Sequence, residues 1–325
     1  MKKICKYLIP GLSVTALCIA ALVWSGSSNN VEEAGQQKPV VLSMTTSPEI
    51  PFKLKFADDE IDFSRYDLRE RLDRELSSFT YLHSTTLSYF KRANRIFPIV
   101  VPILRQNGVP EDFKYLMVIE SNLNERAVSS VKAAGLWQFM DSTGKMYGLE
   151  INSDVDERYH IEKATVAACK YLKDAYSKYG DWVTVASSYN AGMGRISSEL
   201  NKQQASSSLD LLLVEESSRY VFRIIAIKEI MENPYKYGYV LKANQLYKPI
   251  GCREVTVDYS VSDWSDFAQQ NGITYAQLKD FNVWLRNTSL TNKYGKLYNI
   301  RIPQTEDMYY KKDEKIDVYD SRWIN

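Results

Sequence analysis

The chain reads as mostly α, a helical domain followed by a small βααβ module, and three observations carry that prediction. Apolar residues between Tyr66 and Glu232 recur at helical spacing, with no alternating stretch worth counting. Gly108, Gly180 and Pro234 stand where these runs stop, as helix terminators do. Beyond residue 247 the pattern changes: two alternating runs, Arg253–Tyr259 and Leu297–Pro303, enclose two short helical ones.

Taken in order, Lys2, Lys3 and Lys6 precede an apolar run from Tyr7 to Trp24. A basic segment before an apolar one directs export, and this run is nearly long enough to span a bilayer. Residues 1–25 are therefore expected to be a signal peptide or a membrane anchor, with the rest of the chain exported. Residues 26–58, rich in Ser, Asn, Gln, Pro and Thr, read as a flexible linker that buries too little apolar surface to order itself.

Residues 59–246 read as the helical domain, with its core at 105–232. Leu68, Leu72, Leu76 and Phe79 give one helix an apolar face, and a second runs from Ser84 to Gln106 with a bend expected near Pro98 and Pro102. A short helix from Pro110 to Glu120 follows, then a loop-rich stretch through Gly148. Further helices are expected over Glu157–Tyr179, Trp182–Asn190 and Glu216–Glu232, with a loop at Asn201–Ser208. Residues 247–325 read as the C-terminal module, with helices at Asp263–Asn271 and Thr274–Asn282. The helical domain is expected to stay folded without it.

Composition excludes some functions. A formal net charge of +1 gives no reason to expect a nucleic-acid partner. His83 and His160 lack ligand spacing and no C-x-x-C pair occurs, so neither a metal nor a cofactor is expected. Cys169 and Cys252 could pair in an oxidising compartment. The simpler reading of Cys169 is a small buried helix residue.

The chemistry centres on Glu120. Pro110 suits a first helical position, and Glu111 and Asp112 complement the positive end of the helix dipole. Phe113, Leu116, Met117 and Glu120 share one face at i, i+3, i+4, i+7, so a carboxyl lies on the apolar stripe. Desolvation there raises its pKa, and a carboxyl protonated near neutral pH is what a general acid needs. An ordinary helix-terminal glutamate at the rim of the core is the competing reading.

The surroundings of Glu120 favour the first reading. Ile119-Glu-Ser-Asn-Leu-Asn124 and Ser129-Ser-Val-Lys-Ala-Ala-Gly-Leu-Trp-Gln-Phe-Met140 are followed in order by Gly148-Leu149, Asp156-Glu-Arg158, Gly180-Asp-Trp182, Tyr189-Asn-Ala-Gly192 and Asp210 to Tyr220. Together they resemble the lytic transglycosylases with a goose-lysozyme-like (SLT) catalytic domain, in particular the membrane-bound D type. The resemblance implies a lysozyme-like helical domain in which Glu120 is the single catalytic acid/base and Ser121 its neighbour. It further implies that Ser129 hydrogen-bonds in the site, Gln138 and Met140 line the sugar cleft, Tyr189 and Asn190 face the scissile sugar, and Glu216 and Tyr220 close the site. Ser130, Asp141 and Val214 stand where the family has proline, and Lys132 where it has glycine, all in loops beside the cleft. Read singly, Trp137 is a core aromatic, and Asn190-Ala-Gly192 is a helix C-terminus.

The βααβ module resembles a lysin-motif (LysM) domain, which binds N-acetylglucosamine polymers; a capping domain without glycan affinity is the alternative. The implied protein is a periplasmic enzyme that needs no cofactor and acts on peptidoglycan glycan strands, with the cell membrane as a partner where the N-terminal segment is retained as an anchor. It would cleave the β-1,4 bond between N-acetylmuramic acid and N-acetylglucosamine and leave 1,6-anhydromuramic ends. Two alternatives remain at this level: a lysozyme-type muramidase using a second acid such as Asp141, and an inactive peptidoglycan-binding protein.

Overall fold

A computed structural model describes residues 45–324, and Thr46–Asn325 form one compact unit. The expected leader and most of the expected linker lie outside the described residues. Among those described, no helix is long and apolar enough to cross a membrane.

The described chain opens with a hairpin inside the stretch read as linker. Strand β1 (Lys53–Phe56) pairs antiparallel with β2 (Asp59–Asp62), Lys53 opposite Asp62 and Phe56 opposite Asp59. Phe52, Leu54 and Phe56 alternate with lysines, which is a strand signal too short to stand out beside its proline-rich approach. Phe56 and Phe63 are fully buried, and the Phe56 ring meets Phe113 edge-on at 5.3 Å. The hairpin turn places Ala57 at φ 55°, its N–H donating to Asp112. Asp59 accepts from the N–H groups of Trp182 and Val183. The linker therefore ends before this hairpin, which is clamped onto the helical core.

Helix α1 (Tyr66–Tyr81) buries Leu68, Leu72, Leu76 and Phe79, the expected face. Helix α2 (His83–Gln106) runs unbroken through Pro98 and Pro102. Helix α3 (Phe113–Ser121) starts later than expected, because Pro110–Asp112 form a tighter lead-in with i to i+3 bonds. It is buried on nearly every side, Lys114, Tyr115 and Val118 included, which marks a central helix rather than a surface helix with one apolar stripe. Helix α4 (Asp141–Met146) follows the loop after α3.

Helix α5 (Ile161–Tyr179) ends at Gly180 in the left-handed conformation, φ 71°. A separate 3₁₀ turn at Glu157–Tyr159 takes up the first residues assigned to it. Asp181 caps α6 (Trp182–Ala191), accepting from the N–H groups of Val183 and Thr184. Helix α7 (Met193–Gln203) was not expected, and it absorbs the start of the Ser/Gln-rich segment read as loop. Helix α8 (Glu215–Glu232) packs across α1 and α3 and is buried from Tyr220 to Met231 over most of its length.

The C-terminal module follows the expected order. Strand β3 (Cys252–Val257), α9 (Trp264–Gln270), α10 (Tyr275–Phe281) and β4 (Tyr298–Pro303) enclose a core of Val257, Trp264, Leu278, Ile300 and their neighbours. The strands pair antiparallel, Cys252 opposite Pro303 and Val257 opposite Tyr298. Asp263 caps α9, and a Thr274–Gln277 capping box starts α10.

Two features change the expected division at residue 247. The module core also includes Ala134, Val155 and Tyr159 of the helical part, and Asp154 accepts from Asn287 and Thr291. The last residues then return to the helical core. Trp323 is 1% exposed, donates Nε1–H to the Met231 carbonyl at 2.8 Å, and meets Phe90 and Phe97 edge-on. Buried Asn94 of α2 holds both the outgoing and returning chain: Nδ2 donates to the Tyr247 and Asp317 carbonyls, and Oδ1 accepts from Tyr319 N–H. Residues 247–325 are thus not one separable module, and removing all of them would strip Trp323 from the helical core. Cys169 and Cys252 are both free thiols, Cys169 fully buried as its simpler reading holds.

Candidate active site

Glu120 occupies the last turn of α3, just before Asn122 and Leu123 turn left-handed at φ 53° and 55°. Left-handed backbone is uncommon for residues with a side chain, and here α2 braces it. Tyr89 donates its hydroxyl to Asn122 Oδ1 at 2.6 Å, and Arg92 Nη1 donates to the Asn122 carbonyl at 2.8 Å. The chain therefore leaves the helix at a fixed angle immediately after the carboxylate.

Across from it, α8 supplies Tyr220, 4% exposed, whose hydroxyl donates to Glu120 Oε1. Burial pushes the Glu120 carboxyl up to about 7, helped by the charge of Glu216 and opposed by the Tyr220 hydrogen bond and the Arg223 guanidinium. Burial also holds the Tyr220 and Tyr189 hydroxyls well above the usual tyrosine range, with the nearby Glu120 charge adding to it. Both phenols are therefore proton donors, and Glu120 alone titrates near neutrality among these three. That is the environment of a carboxyl able to give a proton and take one back.

Helix α6 brings Tyr189 and Asn190 to the same place. Tyr189 donates to the Trp137 carbonyl at 2.8 Å, and its ring packs against Tyr171 at 5.1 Å. Asn190 Oδ1 accepts from Ser217 Oγ at 2.9 Å, tying the end of α6 to the start of α8. Trp137 is a fully buried core residue, as expected, with Nε1–H on Thr165.

The remaining predicted residues divide. Ser121 turns inward, its hydroxyl donating to the Met117 carbonyl at 3.0 Å, so it packs the helix and does not line a cleft. Ser129 Oγ accepts from Ala133 N–H and closes the 129–133 loop. Gln138, at φ 50°, donates Nε2 to the Gly135 and Ala127 carbonyls and so braces that loop. Met140 is exposed at the start of α4. Glu216 is exposed on the first turn of α8 and acts on Glu120 through its charge. Asp141, the possible second acid, pairs with Lys145 at 2.8 Å on the surface of α4.

The flanking sequence blocks acquire physical roles. A Cβ on Gly135 would lie 1.9 Å from the Arg158 carbonyl, and its φ is 77°, so only glycine fits. Arg158, paired with Asp156, donates to the Lys132 and Phe139 carbonyls and fixes the same loop from outside. Trp182 stacks on Tyr176 at 4.0 Å and meets Phe113 edge-on. Sequence reasoning missed Arg223, Ser217 and the Tyr89–Arg92 brace. The i, i+3 spacing from Tyr220 to Arg223 was the available signal for the first.

Among the described residues no cluster of three His, Cys, Asp or Glu side chains could hold a metal ion. Residues 100–211 match the family model of the transglycosylase SLT domain, and residues 253–306 that of the soluble lytic transglycosylase C-terminal LysM-like domain. The chain is 28% identical over 228 residues to membrane-bound lytic murein transglycosylase D of Escherichia coli K12, which covers 69% of this chain and 49% of that protein. It thus spans about half the length of the curated relatives it matches. Among solved structures it is similar to the 70 kDa soluble lytic transglycosylase of Escherichia coli (19% identity, 53% of this chain and 26% of that chain, TM-score 0.33). A lytic transglycosylase of Pseudomonas aeruginosa gives 20% identity, 43% and 24% coverage and a TM-score of 0.34.

Proposed function

We propose that this chain, which carries a transglycosylase SLT domain and a LysM-like C-terminal domain, is an exported peptidoglycan lytic transglycosylase. The observation that carries the reading is Glu120: one carboxyl, titrating at about 7, hydrogen-bonded by Tyr220 in a buried setting. The reaction needs the same group in both protonation states. Protonated Glu120 gives its proton to the β-1,4 glycosidic oxygen as the bond to muramic C1 breaks. The carboxylate left behind takes the proton of the muramic C6 hydroxyl as that oxygen bonds to C1. The products are a free N-acetylglucosamine 4-hydroxyl and a 1,6-anhydromuramic end, with no water consumed.

Tyr220 occupies one carboxyl oxygen, and the other would face the reacting sugar. Tyr189 and Asn190, fixed by the Trp137 carbonyl and by Ser217, would hold the muramic ring so that its own hydroxyl stands in the attacking position. An internal nucleophile in near-attack geometry has a large entropic advantage over bulk water. A two-carboxylate hydrolase is disfavoured by Asp141, whose carboxylate is held at the surface by Lys145. Gln138 and Ser129 would act by shaping the loop beside the sugar, with Met140 and Glu216 at its edge. Residues 1–25 would export the chain to the periplasm, as a cleaved signal or as a retained membrane anchor, while the LysM-like domain would add affinity for glycan strands. Replacing Glu120 with Gln tests the assignment: turnover of purified sacculi should fall at least about a hundredfold, and near wild-type digestion would remove Glu120 from the chemistry.

A further inference from the structure

A cavity of about 490 Å³ lies where the helical part meets the LysM-like module. That volume is in the range of small-ligand sites. Its charged lining comes from Arg92 and Arg95 of α2, Glu125 and Arg126 of the loop after α3, Asp280 of α10 and Arg301 of β4, with Tyr247 at its wall. Arg126 is paired with Asp280, and Arg301 with Glu162 at 3.5 Å. Arg92 and Arg95 are different. They share one face of α2 at i, i+3, and neither meets a carboxylate within ion-pair distance among the described residues. Arg92 uses Nη1 on the Asn122 carbonyl, and Arg95 uses only Nε, on the Lys248 carbonyl at 2.9 Å. Their other guanidinium nitrogens have no hydrogen-bond partner among the described residues, and the Arg95 guanidinium lies over the Tyr247 ring at 5.6 Å.

Glu125 completes the pattern. It lines the cavity and makes no hydrogen bond or ion pair among the described residues. Burial pushes its carboxyl up, against the pull of Arg301, Arg95 and Arg126. Open guanidinium forks and an open carboxyl in one concave site match a ligand with carboxylates at one end and an N–H donor at the other. The position narrows the choice. Leu123, also in the lining, follows Glu120 by three residues, and Arg92 itself holds the Asn122 carbonyl. A ligand here would therefore sit against the loop that leaves α3 directly after Glu120. In peptidoglycan each muramic acid bears a short peptide with free carboxylates and an amine.

We propose that this cavity receives the peptide side chain of the strand held at Glu120, with its carboxylates on Arg92 and Arg95 and an amino group on Glu125. The inference rests on the substrate class proposed above. Its test uses the full chain carrying Glu120→Gln, titrated calorimetrically with a soluble stem tripeptide bearing free carboxylates. Binding should be saturable, and Arg95→Gln should weaken it by about tenfold, the scale of one charge-assisted hydrogen bond. Arg95→Lys, which keeps the charge but loses the fork, should fall between the two. Acetylating the peptide amine should weaken binding to the parent and leave Glu125→Gln unaffected. No heat at millimolar peptide, or equal affinity in the parent and Arg95→Gln, would overturn the proposal. So would loss of affinity in Arg95→Gln that merely tracks a fall in its melting temperature while Glu125→Gln, with an unchanged melt, binds both peptide forms as the parent does. Peptide binding needs no turnover. Peptide binding by this variant with no release of anhydro ends from sacculi by the wild type contradicts the lytic reading alone; release by the wild type without peptide binding contradicts this one alone.

Discussion

Glu120→Gln should stabilise the protein, and by an amount that depends on pH. Burial raises the carboxyl from 4.5 to about 7, so between those values the native state holds a proton that the unfolded chain has released. The favourable contribution is full below pH 4.5 and is lost as pH rises through 7. Above that, the native state carries a carboxylate where burial disfavours one. At 1.36 kcal/mol per pKa unit, the shift corresponds to roughly 3 kcal/mol. The glutamine amide is neutral at every pH and nearly isosteric, and Tyr220 can still donate to its oxygen. The variant should therefore match the wild type near pH 4 and exceed it by roughly 3 kcal/mol at pH 8, about 5 °C in melting temperature for a chain of this size. Paired thermal melts from pH 4 to pH 8 measure this directly, because every other titrating group is common to both proteins and cancels. A difference that stays flat with pH, or grows toward acid, would show that Glu120 is not desolvated and would remove the physical basis for its role. Stability gained on deleting a catalytic group is also the mark of a site built for function.

Tyr220→Phe removes the hydrogen bond that lowers the Glu120 pKa. The descending limb of kcat/KM against pH on purified sacculi should move up, with a lower maximum; an unmoved or down-shifted limb would contradict the pairing. Trp323→Ala should cost about 3–5 kcal/mol by urea unfolding, since the side chain is buried among Phe90, Phe97 and Met231. A loss under about 1 kcal/mol, the range of surface substitutions, would mean the C-terminal return does not contribute to the core.

Much of the candidate site could be read from the chain because its residues sit in ordered blocks with local physical causes. Gly135 is required by the approach of the Arg158 carbonyl, Asp181 by the start of α6, and Glu120 by its place on an apolar helix. The βααβ module was equally legible, since its capping residues and alternating strands are local signals. What was not legible is long-range. Ser121 and Gln138 carry the expected side chains in the expected blocks, yet their hydrogen bonds go to the Met117, Gly135 and Ala127 carbonyls. Only the backbone path decides that. The hairpin at 53–62 owes its order to Asp112 and Trp182, far along the chain. Trp323 is a lone aromatic near the end of the sequence with no periodic neighbours, and its partners lie on α2 and α8. The open guanidinium groups of Arg92 and Arg95 likewise become visible only once their neighbours' partners are known.

The central claim is that one carboxyl, with no activated water, breaks the glycan strand. Digestion of purified sacculi in heavy-oxygen water, followed by mass spectrometry of the soluble products, tests it most directly. The account predicts mostly 1,6-anhydromuropeptides, lighter by one water than hydrolytic products and unlabelled at the muramic end. A majority of heavy-oxygen-labelled reducing ends would contradict it, and would make the protein a hydrolase in which a second group positions water opposite Glu120.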